Sequence, residues 1–227
     1  MIIAEQKPLS TMLDFIRDHQ KVLVLGCGGC VTVCLAGGET EAEIVASALR
    51  LAAQKEGLEL EISHDCVTRQ CDPEYVDQVR EAMGDSDAIL TLACGVGVGY
   101  LSERMDGIWI YPGVDTKGEG ATIEAGFWEE RCASCGECIL DQTGGICPIA
   151  RCSKSLLNGP CGGSQEGKCE VEDSLDCGWE ILYRRLESLG RLDLIEGVFE
   201  PKDWSKARDG GPRQIVREDV REDADPS

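Results

Sequence analysis

The chain has 227 residues, of which 42% are hydrophobic and 28% are charged, so it can bury a core and is not wholly disordered. Its formal net charge of −20 excludes nucleic acid as an expected partner, because binding to phosphates needs clustered Lys and Arg side chains. No stretch approaches the roughly eighteen uninterrupted apolar residues of a membrane span, so we expect no membrane insertion.

Residues 1–112 alternate between extended and helical patterns. Short apolar runs predict strands, and apolar residues at helical spacing predict helices between them. This alternation predicts an α/β fold, with a small parallel sheet and flanking helices. The predicted strands are 21–26, 58–63, 88–93 and 108–112, and the predicted helices are 10–19, 39–57 and 73–83.

The remainder of the chain changes character twice. Residues 113–131 read as a connector, with a helix expected over 122–131. From 132 to 177 periodicity is lost and Cys and Gly rise, which predicts an irregular, cysteine-rich, ferredoxin-like cluster-binding module. Residues 178–206 are predicted to be a C-terminal helix with a docking segment, and residues 207–227 an acidic tail.

Fourteen cysteines in a chain of this size need a chemical reason. The first residues lack a basic segment followed by an apolar run, so we expect no secretory signal and a cytoplasmic location. Thiols in the cytoplasm are kept reduced, which makes structural disulfides rare there. The cysteines are therefore expected to bind metal ions or iron–sulfur clusters.

Six of the thiols follow the ends of predicted strands. Because the carboxyl ends of parallel strands meet at one edge of a sheet, we expect several of these thiols to converge there. Four thiolates are enough for a cubane cluster. The candidate ligands are Cys27, Cys30 and Cys34 of the run "CGGCVTVC", joined by Cys71 or Cys94.

Other residues at this edge are weaker candidates for a binding role. Cys66 has the character of a small buried side chain and is expected to be a spectator. His64 is a minor candidate ligand at a strand end. The stretch "GCGG" lacks both the dinucleotide spacing and the P-loop lysine, so a nucleotide site is not expected there.

The cysteine-rich module holds the other eight thiols. Cys132, Cys135 and Cys138 have the C-x2-C-x2-C spacing of ferredoxins, which favours an iron–sulfur cluster over zinc. Cys147 precedes a proline, as a closing ferredoxin cysteine does, but the gap before it is too long for that motif to fix the fourth ligand. Two clusters, or one cluster with a zinc ion, remain open. The candidates for the fourth and later ligands are Cys147, Cys152, Cys161, Cys169 and Cys177.

The sequence offers little for substrate chemistry. No Ser/His/Asp set and no pair of acids suited to acid–base catalysis is recognisable. The dinucleotide-binding fingerprint is also missing from the sequence. These features favour a carrier of redox centres rather than a catalytic chain.

Several motifs resemble one known family. "CASCGECILDQTGGICPIARCSKSLLNGPCGG" and "EPKDWSKA" resemble the methylenetetrahydrofolate reductase C-terminal domain family, as do "GCGGCVTVC", "RQC" and "LACGVGVG". The resemblance extends over about residues 20–206. It implies a small cysteine-rich subunit that binds two or three [4Fe–4S] clusters, with zinc as an alternative metal.

The same resemblance implies a role in one-carbon metabolism of the Wood–Ljungdahl type. The chain would pass electrons to the flavin of a separate methylenetetrahydrofolate reductase catalytic subunit, with a further redox protein as an additional candidate partner. An alternative is a zinc-binding scaffold that docks and stabilises the flavoprotein subunit. A corrinoid- or methyl-handling role would need a cobamide motif, which we do not find.

Overall fold

The computed structural model describes residues 1–207 together with residues 215, 217 and 219. The predicted acidic tail, 207–227, therefore lies outside the described residues except at its first position and those three. The chain divides into two compact units, one of Met1–Glu129 and one that begins at Glu130. The strands are β1 (Ile2–Gln6), β2 (Lys21–Cys27), β3 (Glu61–Val67), β4 (Ala88–Thr91), β5 (Trp109–Pro112), β6 (Val114–Glu124) and β7 (Phe127–Cys132). The α-helices are α1 (Leu9–Ile16), α2 (Cys30–Val33), α3 (Glu39–Glu56), α4 (Val76–Met83), α5 (Gly95–Ser102), α6 (Pro148–Arg151) and α7 (Gly178–Ser188), with 3-10 helices at Pro73–Tyr75, Leu192–Ile195 and Trp204–Lys206.

The first unit is built on a four-stranded parallel sheet in the order β3-β2-β4-β5. Strands β2 and β4 are almost wholly buried, as central strands covered on both faces should be. Successive β2 side chains enter two cores: Val22 and Val24 pack with α1 and α3, whereas Leu23 and Leu25 pack with α4 and α5. The predicted α/β class and its four parallel strands are confirmed.

Two details of this unit differ from the predictions. The second strand of the parallel sheet begins at Glu61, three residues later than predicted, because α3 ends at Gly57 in a left-handed conformation with φ of 70°. The chain uses the next three residues to reach the sheet edge. Helix α5 was not predicted because its sequence is rich in glycine. A Cβ atom at Gly97 would lie 2.7 Å from the Cβ of Ala93, so close packing requires glycine there.

Residues 113–131 form strands β6 and β7, so the predicted connector with a helix is wrong. Together with β1 they make a second sheet in the order β1-β6-β7, in which β1 pairs antiparallel with β6. Gly126, in the two-residue link between β6 and β7, has a φ of 85°, a left-handed conformation that suits a tight hairpin. β1 pairs with Val114–Glu119, so the residues of the predicted helix lie beyond that register, in the hairpin of β6 and β7.

The second unit contains little regular structure besides α6 and α7. Helix α7 confirms the predicted C-terminal helix and buries Trp179, Leu182 and Leu186 in one cluster. The indole Nε1 of Trp179 donates a hydrogen bond to the carbonyl oxygen of Leu156 at 2.9 Å, which fixes a loop against the helix. Turns and loops therefore position most of the thiols of this unit.

All fourteen cysteines lie in the described part of the chain, and none forms a disulfide there. Cys27 and Cys34 are buried, whereas the other thiols are partly or fully exposed. Among the helices of the described residues, none combines the length and the apolar character that crossing a membrane requires.

Candidate metal centres

Three cysteines lie where strands of the parallel sheet end. Cys27 is the last residue of β2, Cys71 follows β3, and Cys94 is the N-cap residue of α5 after β4. Burial first, and then the charges of Cys27 and Cys94, raise the pKa of the Cys71 thiol. Cys27, Cys71 and Cys94 therefore lie at or after the carboxyl ends of three neighbouring strands of the parallel sheet. Whether these thiols bind a cluster stays a prediction.

Cys66 also lies within reach of this group. It pairs with Gly26 in the register of β2 and β3. Burial and the neighbouring Cys27 raise the pKa of the Cys66 thiol to about 11. His64 is exposed on the same strand. Cys66 is partly buried, and its sulfur lies 3.1 Å from the Cβ position of an alanine at Gly26, so it packs against the backbone of β2.

The run Cys27–Cys34 places its three thiols in different surroundings. Cys30 begins the short helix α2 and is exposed. Cys34 is only 4% exposed, its sulfur accepts a hydrogen bond from the N–H of Ala4 at 3.4 Å, and it packs in the core beside β1. These contacts are those of a core side chain. Of the predicted ligands of this site, Cys34 has the surroundings least suited to metal binding.

A buried amide joins the three strand ends that carry the thiols. Gln70 is 1% exposed, and its Nε2 donates to the carbonyl oxygens of Leu25 at 3.2 Å and Gly26 at 2.9 Å. Its Oε1 accepts from the hydroxyl of Thr91 at 2.5 Å, and that hydroxyl accepts from the N–H of Ala93 at 3.0 Å. The network thus links the residues that precede Cys27, Cys71 and Cys94. Glutamine is neither a common catalytic residue nor a common metal ligand, so nothing in the sequence signals that Gln70 belongs to this region.

In the second unit, four thiols share one cavity of about 240 Å³. The N–H of Ser134 donates to the Sγ of the first of them at 3.4 Å, which is a contact that stabilises a thiolate. The last of the four precedes Pro148, which opens helix α6. The structure therefore brings a fourth thiol to the ferredoxin-like triplet. The four thiols are Cys132, Cys135, Cys138 and Cys147.

The remaining four thiols of this unit line a second cavity of about 20 Å³. The N–H of Gly163 donates to the Sγ of Cys161 at 3.4 Å. The Ser153 hydroxyl first, and then the backbone N–H groups of Val171 and Glu172, lower the pKa of the Cys169 thiol. Both contacts favour the deprotonated sulfur that metals bind. The four thiols are Cys152, Cys161, Cys169 and Cys177.

Two of the candidate ligands also precede helices of eight residues or more. Cys94 is the N-cap residue of α5, and Cys177 is the N-cap residue of α7. The partial positive charge at a helix N-terminus stabilises a thiolate. Both residues therefore lie beside the backbone N–H groups that have no partner within the first turn of a helix.

The two cavities of the second unit differ in volume. Water occupies about 30 Å³ in the liquid, and a cavity of about 10–15 Å³ holds one water-sized body. The cavity of about 240 Å³ is the larger of the two, and that of about 20 Å³ is little larger than one water-sized body. Throughout the described residues, no three His, Cys, Asp or Glu side chains already converge on the point that one ion would occupy. A zinc ion in the smaller cavity would therefore draw its sulfurs closer, to a Zn–S distance of about 2.3 Å.

Residues 111–205 match the family model described as methylene-tetrahydrofolate reductase C terminal. The matched segment contains all eight thiols that line the two cavities. The match confirms the resemblance for this segment, which is less than half of the chain, and the thiols of the sheet edge precede it. Comparison with curated proteins and with solved structures gave no match.

Proposed function

We propose that this chain is the electron-transferring small subunit of a methylenetetrahydrofolate reductase complex. The observation that carries the proposal is the sorting of the eight thiols between Cys132 and Cys177 into two sets of four, each around its own cavity. Two complete four-thiol sets in one unit suit metal binding better than any other use of so many reduced cysteines. The segment that holds them matches a reductase-related family.

The two sets would hold different metals. Cys132, Cys135, Cys138 and Cys147 would hold a [4Fe–4S] cluster, because their spacing is ferredoxin-like and their cavity is large. The other set would hold zinc, because its cavity has room for one ion. When bound, the iron–sulfur cluster supplies one-electron transfer, whereas zinc has no redox chemistry and stabilises the fold.

The sheet edge of the first unit is the candidate for a further cluster. Cys27, Cys71 and Cys94, at or after the ends of three neighbouring parallel strands, would supply three of its thiols. Cys30, which is exposed at the start of α2, would supply the fourth. The thiols in these centres would hold metal as thiolates, with backbone N–H groups stabilising their charge.

The expected partner is a flavin-containing catalytic chain that reduces methylenetetrahydrofolate. A further redox protein would deliver electrons to this chain. The net charge of −20 favours partners with basic docking faces and fast, salt-sensitive association. Reduced thiols in such number suit a cytoplasmic location.

Anaerobic metal analysis of the full chain tests this proposal. We expect about four iron atoms and one zinc ion per chain from the second unit, and four more iron atoms if the sheet edge is occupied. After reduction with dithionite, an EPR signal of a reduced cluster should appear. Protein that contains zinc but no iron after anaerobic purification would overturn the electron-transfer role.

Matched variants assign each metal to its set. Cys138→Ser should lower the iron content and leave zinc unchanged, whereas Cys161→Ser should do the reverse. Cys66→Ala, at the expected spectator, should change neither. Loss of both metals in either serine variant alone would contradict two independent sites.

A zinc scaffold is the second candidate function. The observation that favours it is the small cavity, which has room for one structural ion and is lined by Cys152, Cys161, Cys169 and Cys177. In that case both sets would contain zinc, and the protein would be colourless. The iron content of the anaerobic protein decides between the two functions.

A further inference from the structure

The larger thiol cavity is bordered by a buried lysine that sequence reasoning did not single out. Lys202 is only 7% exposed and lines the cavity with Cys132, Cys135, Cys138 and Cys147. Lysine is almost never buried to this extent unless its charge is paired. It also lines a neighbouring groove of about 620 Å³. The position of this charge beside four thiols requires a physical reason.

The ammonium group of Lys202 is held by the backbone of the cysteine loop. Its Nζ donates to the carbonyl oxygen of Cys135 at 3.4 Å and to that of Glu137. Neutral carbonyl oxygens accept its hydrogen bonds, and its charge also acts on the carboxylates of Glu137 and Asp203. The Nζ lies 5.7 Å from the centroid of the Trp204 ring. The Glu137 carboxylate accepts from the Nζ of Lys206 at 2.7 Å and from the N–H of Asp203 at 3.0 Å. The positive charge of Lys202 is therefore directed at the cysteine loop.

The segment that carries Lys202 is fixed against the same loop. Gly136, between two of the thiols, has a φ of 80°, and a Cβ atom there would lie 2.1 Å from the carbonyl oxygen of Lys206. The ion pair of Glu137 with Lys206 holds the segment from the other side. We refer to residues 201–207 as the strap. Its backbone packs so closely on the loop that Lys202 has a defined place.

A cluster held by four thiolates carries a net negative charge, and each added electron increases that charge. A nearby positive charge in a medium of low dielectric constant stabilises the reduced state more than the oxidised state. We infer that Lys202 is a positioning and charge-compensating residue that raises the reduction potential of the cluster in this cavity. This inference rests on the proposed function, because it requires an iron–sulfur cluster there.

The electron balance is simple. A one-electron donor of low potential is oxidised, the cluster is reduced by that one electron, and no bond forms or breaks in this chain. The reoxidising acceptor would be the flavin of the partner. By stabilising the reduced cluster, Lys202 allows the donor to reduce the cluster before the flavin of the partner accepts the electron.

A redox titration of the full chain, purified anaerobically and monitored by EPR, tests the role of Lys202. Lys202→Met removes the charge and keeps a side chain of similar length. We expect the ratio of reduced to oxidised cluster at a fixed potential to fall about tenfold, which equals a negative shift of about 59 mV for one electron. Lys202→Arg, which keeps the charge, should stay close to the unmodified protein. The matched control is Lys168→Met, which lies in the same unit but does not line this cavity and has a side chain that is 48% exposed, and a change of less than about twofold is expected.

The outcomes separate the inference from the proposed function. Absence of iron from the unmodified protein would refute the proposed function before Lys202 is tested. An unchanged potential in an iron-replete Lys202→Met protein would refute the inference alone. If Lys202→Met loses iron, Lys202→Gln, which can still donate to the two carbonyl oxygens, gives the potential without the charge. If the Met and Gln variants lose iron and Lys202→Arg retains it, the site needs the positive charge, which supports the inference. If all three variants lose iron, Lys202 only holds the loop in place, which contradicts the inference.

Discussion

The two units of this chain use cysteine in opposite ways. In the first unit, apolar strands and helices build the cores, and the thiols lie at one sheet edge that the cores already define. In the second unit, one small cluster on α7 is the main hydrophobic support, and eight thiols lie in the loops around two cavities. Small units with little core usually depend on metals or disulfides. We therefore expect the first unit to fold without metal and the second to depend on it.

Removal of metal should separate the two units most strongly. Treatment of the anaerobic protein with a chelator should unfold the second unit, because structural zinc contributes roughly 10–16 kcal/mol of apparent binding free energy in small zinc domains. The first unit should keep its fold. Hydrogen exchange, read separately for residues 1–129 and for residues from 130 onward, measures this difference. Equal protection of both units after complete loss of metal would contradict the comparison.

The amide of Gln70 should matter to the first unit whether or not metal is bound. Gln70→Leu removes the partner that accepts from the hydroxyl of Thr91 and the partner that donates to the carbonyl oxygen of Gly26, whereas the carbonyl oxygen of Leu25 still accepts from the N–H of Leu92 at 2.9 Å. Each unsatisfied buried group costs about 1–3 kcal/mol, so we expect a loss of about 3 kcal/mol in the free energy of unfolding. Urea unfolding of the metal-free protein measures it.

The control for that variant is Gln54→Leu, an exposed glutamine on α3. It should change the free energy of unfolding by less than about 0.5 kcal/mol. If Gln54→Leu and Gln70→Leu change the free energy of unfolding by the same amount, Gln70 does not join the strand ends. Iron content in the Gln70→Leu protein would further show whether the sheet-edge thiols need this network.

The contact between strap and loop gives a smaller effect, confined to the second unit. Gly136→Ala should destabilise this unit by about 2 kcal/mol or more, because it combines a left-handed conformation with a contact to the Lys206 carbonyl. Gly145→Ala is the matched control, since Gly145 has a φ of 88° but no neighbour within 4 Å of the added atom. It should cost only the conformational part, about 1–2 kcal/mol. Limited proteolysis of the strap in the metal-bound protein distinguishes them, and equal cleavage of both variants would refute the close contact.

Acid should act on the two units by different routes, and the smallest expected effect concerns Asp87. Burial acts to raise the pKa of this carboxyl, but the N–H groups of Gln20 and Lys21 lower it more, so it lies below the ordinary value of 3.8. Its contribution to stability is therefore present above about pH 4 and is lost as the pH falls through the lowered pKa. Asp87→Asn should weaken this acid dependence slightly, and Asp106→Asn, on the surface, should not.

Urea unfolding of the metal-free protein at several pH values measures the effect of Asp87. In the second unit, protons compete with metal for thiolates, so metal should be released at a higher pH than that at which Asp87 titrates. Retention of metal at a pH where the first unit has already lost stability would contradict this order.

The sequence predicted the parallel sheet because its strands are short apolar runs, and such runs indicate burial on both faces. It did not predict β6, because the pairing of β6 with β1 joins residues more than a hundred positions apart, and it did not predict β7, which lies beside β6. Spacing alone left five candidates for the fourth thiol beside the ferredoxin-like triplet, and of these Cys147 lines the same cavity in the structure. The grouping of the later thiols depends on loops that no periodicity describes.

Polar residues that act through the fold were the hardest to predict. Lys202 lies 67 positions from Cys135 in sequence, and only the packing of the strap brings its charge to the cysteine loop. Gln70 is an unremarkable residue in sequence, and its role depends on three strand ends that meet only in the folded sheet. In both cases one side chain satisfies backbone groups from distant segments, and no local pattern encodes such contacts.

The central claim is that the second unit holds two different metals in two separate sets of four thiols. Anomalous scattering at the iron and zinc absorption edges, from crystals of the anaerobically purified chain, tests it directly. We predict an iron peak among Cys132, Cys135, Cys138 and Cys147 and a zinc peak among Cys152, Cys161, Cys169 and Cys177. Zinc at both positions, or one metal bound by thiols from both sets, would contradict the account.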